Sequence, residues 1–356
     1  MKALQAAIVG CGRIFDLHTA GYAGRSDAVI GAVCDTDGKL VREKARQWGV
    51  PRTYTSYKKL LRDDDVDLIE LLVPHHLHAE MTVAACEAGK HVSVQKPMAL
   101  TLAEADTMIE AAERAGVRLR VYENFIFYPP YVKAAELVKA GEIGVPQMIR
   151  IHFNTGTRDS AWDISLKTWM WRLDHKRCGG GPLVFDHGYH LFSLAHFFMG
   201  AVHKTSAWID RTQVIPTKYV DGPAAIMMKF AAPRAYGVID IEHTPNMRIS
   251  SPYYADDNRI EIIGDRGIIM VNRCTVKTLD LPELLLYREG ETIPVVVDRV
   301  DWMESFLDCT RHLVDVLVKG GEPVLNGAQG REVLRTALSV QRSAREGREI
   351  DVNEME

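Results

Sequence analysis

Short apolar runs alternate with helix-like segments over the first third of the chain. Runs with strand character lie at Ala6–Val9, Ala28–Cys34, Leu68–Val73, His91–Val94 and Arg118–Tyr122. The segments between them carry apolar residues at helical spacing, most clearly at Lys39–Trp48, Leu77–Ala88 and Leu102–Ala115. This alternation predicts an α/β domain with a doubly wound parallel sheet, the Rossmann architecture.

The pattern changes after Asn124, and we predict two domains, residues 1–123 and 124–356. A helix is expected over Pro130–Ala140 and a strand over Gln147–Thr155. The following β-runs are Thr205–Asp210, Ala224–Phe230, Tyr236–Glu242, Arg259–Ile263, Gly267–Val271, Thr275–Leu279, Leu284–Tyr287 and Ile293–Val297. Hairpin-like turns between neighbours predict a large, open, mainly antiparallel sheet. Two amphipathic helices, Asp301–Lys319 and Gly327–Arg345, are expected at the end of the chain.

Charge and composition favour small-molecule chemistry. The formal net charge is −4, from 43 Lys and Arg against 47 Asp and Glu. Neither sign forms long blocks, so we expect no nucleic-acid or membrane partner. The cysteines show no paired spacing, which fits a reducing compartment, and the short apolar start is too brief for a signal peptide. We therefore expect a cytoplasmic protein.

A glycine-rich turn directly follows the first predicted strand. Its residues are Gly10, Cys11, Gly12, Arg13 and Ile14. Two glycines let the backbone approach a pyrophosphate closely, and the following helix offers free N–H groups to the phosphates. A complete fingerprint would have Gly or Ala at position 15, where this chain has Phe15. Taken alone, such a sequence is often only a turn.

Asp35 strengthens the interpretation as a cofactor site. It ends the second predicted strand, at the distance from the turn where an acidic residue binds the ribose hydroxyls. Asp35 favours NAD over NADP, because a carboxylate repels a 2′-phosphate. The alternative is a surface turn aspartate. Further cofactor-binding residues are predicted at the carboxyl ends of other strands: Pro74, His75, His78, Gln95, Lys96 and Pro97.

Three histidines at positions 75, 76 and 78 suggest a metal site at first sight. Metal ligands usually include acids or cysteines from elsewhere in the chain, and histidines at a helix start can also line a cofactor groove. We therefore predict no metal.

Two further stretches carry candidate catalytic groups. Lys96 is fixed at the end of a short strand by Pro97, which has no N–H to continue a ladder. Asp186 and His190 lie four residues apart in a predicted helix from Pro182 to about Met199, after three glycines. Such a pair can position a substrate hydroxyl and take its proton. The alternative is a single i,i+4 hydrogen bond on an apolar helix.

The segment between Gly156 and Gly181 is rich in tryptophan and arginine. Its aromatic and charged residues include Arg158, Trp162, Trp169 and Arg172. Rings beside charged donors suit a sugar, whose C–H face stacks while its hydroxyls form hydrogen bonds. Alternatively, these rings only pack the loop down. The complete set of predicted substrate-binding residues is Lys96, Tyr122, Asn124, Arg158, Trp162, Trp169, Arg172, Asp186, His187 and His190.

The turn from Val9 to Ile14, Asp35, the Lys-Pro at a strand end and the triglycine with Asp-x-x-x-His together resemble the Gfo/Idh/MocA family of NAD(P)-dependent oxidoreductases. The resemblance covers essentially the whole chain. It implies a Rossmann domain followed by an α/β domain whose open sheet often forms dimer or tetramer contacts. It also implies that Lys96 is the catalytic lysine, Asp186 orients substrate and His190 is the acid/base.

Three positions depart from the family pattern. Gln95 precedes Lys96 where the family usually has glutamate, and glutamine cannot supply a negative charge to raise the lysine pKa. Ile126 stands where many members have arginine, and His75 where asparagine is common. The substrate therefore cannot be copied from a well-known member.

These observations lead to a functional hypothesis. We expect hydride transfer between NAD and a hydroxyl of a sugar, glycoside or cyclic polyol, possibly at C3 of a glycoside, by a homodimer or homotetramer that associates through the C-terminal sheet. One alternative is a glycoside-cleaving enzyme that uses transient oxidation and elimination. Another is a non-enzymatic sensor of NAD or sugar, against which the joint presence of Lys96, Asp186 and His190 argues.

Overall fold

The computed structural model of the protein describes residues 3–158 and 170–355. The chain divides into two compact units. The first unit contains Met1–Asn124 and Phe306–Leu334, and the second contains Phe125–Ser305 and Arg335–Glu356. The predicted single cut after residue 123 lies next to the first of these divisions, but it does not include the return of Phe306–Leu334 to the first unit.

The first unit is built on a six-stranded parallel sheet in the order β3-β2-β1-β4-β5-β6. Its strands are β1 Leu4–Val9, β2 Ala28–Cys34, β3 Arg52–Tyr54, β4 Leu68–Leu71, β5 His91–Gln95 and β6 Leu119–Tyr122. The predicted Rossmann topology is confirmed. The edge strand β3 was not predicted, because three residues are too few to show an alternating pattern.

Helices connect these strands. They are α1 Phe15–Ala20, α2 Gly38–Trp48, α3 Tyr57–Leu60, α4 His78–Glu87 and α5 Leu102–Ala115, with a 3-10 turn at His75–Leu77. Local sequence explains the ends of α5. Thr101 and Glu104 form a reciprocal capping box at its start, and Gly116 adopts φ +65° after its end.

The second unit contains a nine-stranded sheet in the order β16-β15-β14-β13-β7-β12-β11-β8-β17, and a separate β9-β10 hairpin. The strands are β7 Pro146–Arg158, β8 Val202–Ile209, β9 Thr212–Ile215, β10 Lys218–Val220, β11 Ala224–Phe230, β12 Tyr236–Ile249, β13 Asp256–Gly264, β14 Gly267–Val271, β15 Leu284–Arg288, β16 Glu291–Pro294 and β17 Ile350–Asp351. Only the pairing of β7 with β12 is parallel among the described strands of this sheet, so the predicted mainly antiparallel sheet is confirmed.

Residues 275–279 form no strand, contrary to the prediction. The hydroxyl of Thr275 donates to the carbonyl of Asp256, and Lys277 pairs with Glu283, so local side-chain contacts hold this stretch as a loop. One sheet face is packed and the other is exposed, as the strict buried-exposed alternation along β11 shows.

The remaining helices are α6 Pro129–Lys139, α7 His175–Cys178, α8 Gly188–Met199, α9 Met303–Lys319 and α10 Gly327–Glu346, with 3-10 turns at Phe125–Phe127 and Val352–Met355. A π-helical segment, Pro182–His187, leads directly into α8. In the first unit, Leu313 and Val314 of α9 pack against Ala6 and Leu68 of the sheet. Over residues 3–158 and 170–355, no helix is both long and apolar enough to cross a membrane.

Candidate active site

The glycine turn of the first unit is shaped by close backbone packing. Gly10 has φ +101°, and a Cβ at this position would lie 2.3 Å from the carbonyl oxygen of Leu72. A Cβ at Gly12 would meet nothing within 4 Å. Gly10 is therefore required by the neighbouring strand end, whereas Gly12 leaves open space beside the start of α1.

Asp35 lies against this turn. Its Oδ2 accepts a hydrogen bond from the backbone N–H of Cys11 at 2.8 Å, and its Oδ1 accepts from the N–H of Asp37 at 2.9 Å. The sequence-predicted turn and acid are thus brought together within one unit. Burial, reinforced by Asp35, raises the pKa of the Cys11 thiol to about 12, so this cysteine stays neutral. The open space at Gly12 beside a fixed carboxylate fits a dinucleotide.

The histidine segment connects two loops at the carboxyl edge of the sheet. The Nδ1 of His78 lies 2.7 Å from the carbonyl oxygen of Pro97, and its Nε2 lies 2.9 Å from that of Val73. His75 is buried, with its ring centroid 5.6 Å from that of His78. Within the described ranges, no group of three or more His, Cys, Asp or Glu side chains is arranged to hold a metal ion.

Lys96 directly follows β5, as predicted. Its backbone N–H donates to Oε1 of Gln95 at 2.9 Å, and Nε2 of Gln95 lies 3.1 Å from Nε2 of the buried His18. Gln95 therefore directs its amide toward the interior of the unit. This orientation gives no support to the predicted cofactor contact by Gln95.

In the second unit, a buried carboxylate holds the segment that carries the predicted acid/base pair. Asp221 accepts hydrogen bonds from the N–H groups of Leu183 and Val184, both at 2.8 Å, and of Phe185 at 3.3 Å. Burial raises the pKa of Asp221 to about 6, against the opposing effect of these N–H groups. The first N–H groups of a helix have no acceptor within the helix itself. The carboxylate oxygens of Asp221 accept from them here and so fix the position of the π-helical segment.

Asp186 and His190 both lie in the core of the second unit, with exposures of 6% and 8%. Arg172 Nε donates to Oδ2 of Asp186 at 3.0 Å, so the Asp186 carboxylate is paired with a guanidinium group. The ring of His190 stacks on Phe125, with 4.0 Å between ring centroids and 9° between planes. The Arg172 charge thus orients the Asp186 carboxylate, and stacking on Phe125 fixes the plane of the His190 ring.

His187 faces the sheet of the same unit. Its ring stacks on Phe153 at 3.8 Å, and its Nε2 lies 3.3 Å from Oδ1 of Asn258. The ring centroids of His187 and His190 are 5.4 Å apart. His187, a predicted substrate-binding residue, therefore lies close to His190, the candidate acid/base.

Other predicted substrate residues are placed differently. Tyr122 is fully buried in the first unit, where its hydroxyl bonds to the carbonyl of Phe306 and the hydroxyl of Thr310, both at 3.0 Å. This placement gives no support to a substrate contact by Tyr122. Asn124 is also buried. Trp162, Trp169 and the side chain of Arg158 lie outside the described residues.

Sequence reasoning missed four polar residues around these sites: His18, Glu70, Asp221 and Asn258. One signal was available for Glu70, which is the only charged residue in the apolar run Leu68–Val73 and therefore needs a buried partner. Asp221 and Asn258 come from distant parts of the chain, and only the fold brings them to Pro182–His187.

The parallel sheet, its glycine turn and the acid that follows β2 are the features of a dinucleotide-binding Rossmann domain. Two family models agree. The one described as "Oxidoreductase family, NAD-binding Rossmann fold" matches residues 4–123, and the one described as "Oxidoreductase family, C-terminal alpha/beta domain" matches residues 135–352. The chain belongs to the Gfo/Idh/MocA oxidoreductase family, which confirms the resemblance found in the sequence.

Individual relatives align over nearly the full chain. Myo-inositol 2-dehydrogenase of Thermotoga maritima is 27% identical, covering 99% of both chains. D-apiose dehydrogenase of Paraburkholderia graminis is 25% identical, covering 100% of this chain and 92% of the relative. A solved oxidoreductase from Agrobacterium radiobacter, in complex with NAD+, L-tartaric acid and magnesium, has a TM-score of 0.83 at 23% identity, covering 100% of both chains, and shows the shared fold.

Proposed function

We propose that the protein is an NAD-dependent dehydrogenase that transfers a hydride between NAD and a ring hydroxyl of a sugar, glycoside or cyclic polyol. The main support for the proposal is the buried pair Asp186 and His190. Arg172 forms an ion pair with Asp186, and the ring of His190 stacks on that of Phe125. The His190 ring is held in one plane, one helical turn from the oriented Asp186 carboxylate. A histidine placed in this way can act as a general base for a substrate hydroxyl group.

The relatives support this class of substrate. The two reported dehydrogenases are named for a cyclic polyol, myo-inositol, and for a sugar, D-apiose. Both substrates are rich in hydroxyl groups, which suits the polar residues of this chain's second unit.

We assign the cofactor to Gly10, Gly12, Arg13, Ile14 and Asp35, with Pro74, His75, His78 and Pro97 from neighbouring loops. When bound, NAD supplies the hydride acceptor. We infer a preference for NAD over NADP, because the Asp35 carboxylate fixed beside Cys11 would repel a 2′-phosphate. Arg13 lies in the same turn and provides a cation for the pyrophosphate.

Three side chains of the protein have roles at the reacting hydroxyl. The ammonium of Lys96 donates a hydrogen bond to the oxygen and stabilises the negative charge that develops there. The imidazole of His190 takes the hydroxyl proton as the C–H hydrogen leaves as hydride. The carboxylate of Asp186 accepts a hydrogen bond from substrate and orients it. In the direction of reduction, His190 returns the proton.

The finer choice of substrate is a glycoside with an apolar aglycone, oxidised at a hydroxyl such as C3. Ile126 is buried and offers no polar group where an arginine would. Cζ of Arg172 lies 4.4 Å from the centroid of the Trp171 ring. An aromatic ring with an adjacent cation is therefore present near Asp186, the ion-pair partner of Arg172. Activity on free polyols with none on glycosides would contradict this choice.

We also infer that copies of the chain associate through the exposed face of the nine-stranded sheet. Trp208, Met227 and Tyr236 lie there with 65%, 52% and 46% of their surface exposed. Large apolar side chains on one open sheet face are typical of a subunit interface. Sedimentation of the parent protein and of Trp208→Glu tests this inference, since the variant should dissociate if the face is the interface.

Substitution of the two catalytic candidates tests the proposed mechanism. With a substrate identified for the parent, Lys96→Met and His190→Ala should each lose ~10²- to 10⁴-fold in kcat, while NAD still binds. Lys59→Met, which removes an exposed lysine of α3, is the matched control and should keep full turnover. Unchanged kcat in either active-site variant would overturn the role assigned to that residue.

A further inference from the structure

A buried series of hydrogen bonds lies behind Lys96 in the first unit. The hydroxyl of Tyr22 donates to Oε1 of Glu70, and Oε2 of Glu70 lies 2.7 Å from Nδ1 of His18. The other ring nitrogen of His18, Nε2, lies 3.1 Å from Nε2 of Gln95. Oε1 of Gln95 accepts from the backbone N–H of Lys96 at 2.9 Å. Both His18 and Glu70 are fully buried.

Donor and acceptor requirements fix the protonation of this series. The N–H of Lys96 can only donate, so the oxygen of the Gln95 amide must face it. The amide nitrogen of Gln95 then faces His18 and donates, which makes Nε2 of His18 an acceptor. The remaining ring proton of His18 is consequently on Nδ1, where it donates to the Glu70 carboxylate.

The electrostatics of the neighbouring groups agree with a neutral His18 beside an ionised Glu70. Burial lowers the pKa of His18 and outweighs the attraction of Glu70. Burial raises the pKa of Glu70, but hydrogen bonds from His18 and Tyr22, together with the Arg120 charge, bring it below its ordinary value. Arg120 is itself held in place, because it donates to the hydroxyl of Ser93 at 3.2 Å and to the carbonyl oxygen of Cys309 at 2.8 Å.

The ring of His18 is also held in place by packing. Its centroid lies 3.8 Å from that of Tyr122 and 5.6 Å from that of Phe306. The imidazole therefore cannot rotate freely to exchange its two nitrogens, and its tautomer is set by Glu70 on one side and residue 95 on the other.

We propose that Glu70 and His18 are positioning residues for Lys96: a neutral His18, protonated at Nδ1 toward Glu70, holds the Gln95 amide in one orientation on the Lys96 backbone. The proposal rests on the role given to Lys96 under the proposed function. It also explains the departure from Glu-Lys-Pro. The negative charge sits on Glu70, in the adjacent strand β4, instead of on residue 95.

The proposal predicts how charge at positions 70 and 95 must be matched. In Gln95→Glu, a carboxylate faces Nε2 of His18 and has no proton to donate, so His18 must take a second proton between two carboxylates. In Glu70→Gln/Gln95→Glu, the acceptor and donor exchange sides. The proton of His18 then moves to Nε2, and the ring is neutral again.

Nuclear magnetic resonance of ¹⁵N-histidine-labelled protein tests the tautomers directly, with His18→Asn assigning the signals. The parent at neutral pH should show a neutral His18 protonated at Nδ1. Gln95→Glu should show protonation at both nitrogens, and Glu70→Gln/Gln95→Glu a neutral ring protonated at Nε2. Gln47→Glu, an exposed change of the same kind in α2, should leave the His18 signals unchanged. A parent His18 that is charged, or protonated at Nε2, would overturn the proposal, and only the assignment variant His18→Asn has to fold for this result.

Turnover separates a positioning role from a structural one. At a pH high enough to remove the second proton from His18, Gln95→Glu should lower kcat at least ~10-fold, because the Nε2 lone pair then repels the carboxylate and about 1 Å of misplacement at a reacting group costs ~10²-fold. At the same pH the double variant should stay within ~3-fold of the parent. A double variant no faster than Gln95→Glu would overturn the positioning role. Full turnover in Lys96→Met would instead remove the proposed role of Lys96, while the His18 tautomers would still report on the network.

Discussion

Gly181→Ala tests how closely the acid/base segment is held in place. A Cβ at this position would lie 2.1 Å from Cγ of Asp221 and 2.3 Å from its Oδ1. Asp221 cannot move away without losing its hydrogen bonds to the N–H groups at 183–185. The φ of Gly181 is 167°, which is extended backbone open to alanine, so the predicted effect is a steric one.

The distances give the expected size of this effect. An ordinary contact begins at 3.4 Å, so Asp221 or the backbone at residue 181 must shift by about 1 Å. Overpacking of this kind costs ~1–3 kcal/mol of unfolding free energy, and losing one charge-assisted hydrogen bond of Asp221 adds ~1.5–3 kcal/mol. Because Asp186 lies within the displaced segment, kcat should also fall by ~10²-fold.

Gly200→Ala is the matched control, since Gly200 lies at the other end of the same helix, α8. Gly200 has φ +81° and ψ −155° with nothing within 4 Å of a Cβ, so alanine there costs ~1–3 kcal/mol of backbone strain and should leave kcat unchanged. Urea denaturation and steady-state kinetics on both variants separate the two effects. If Gly181→Ala kept kcat within ~2-fold of the parent, Asp221 would not hold the segment of Asp186 in a position that catalysis requires.

Three further predictions concern the cofactor turn and a buried acid. Gly10→Ala should abolish NAD binding in a fluorescence titration and lower stability by at least ~2 kcal/mol, because its Cβ meets the Leu72 carbonyl at 2.3 Å; unchanged binding would argue against a close-approach role. Asp35→Asn should weaken NAD binding and improve NADP relative to NAD, and an unaltered ratio would contradict the assignment. Burial raises the pKa of Asp256 from 3.8 to about 7, so its protonated form stabilises the fold and that contribution, up to ~4 kcal/mol, is lost as pH rises from 4 to 7. Relative to the parent, Asp256→Asn should lose less stability over this range in urea denaturation; parallel curves would exclude the shift.

Much of the first unit could be predicted from its sequence, because each strand there is a short apolar run between recognisable helix ends. Strand β2 and helix α5 have the predicted bounds. Since the carboxyl ends of parallel strands share one edge, the sequence alone places Gly10, Asp35 and Lys96 at that edge.

Other features depend on contacts between distant residues and leave no local pattern. The amphipathic pattern of α9 predicts a buried face, but it does not say that Leu313 packs against Ala6. Thr275–Leu279 has strand-like residues, yet its side-chain bonds hold a loop. The pairing of Glu70 with His18 is likewise set by the sheet, which brings residues 52 positions apart within hydrogen-bonding distance.

The proposed activity is net hydride transfer from a hydroxyl compound to NAD. The most direct measurement incubates the parent with NAD or NADP and a panel of sugars, cyclic polyols and glycosides, and records the absorbance of reduced cofactor together with the products. We predict NADH in equal amount to an oxidised sugar or polyol, with less NADPH. Release of an aglycone without net NADH, or no reduction of cofactor by any member of the panel, would contradict the claim.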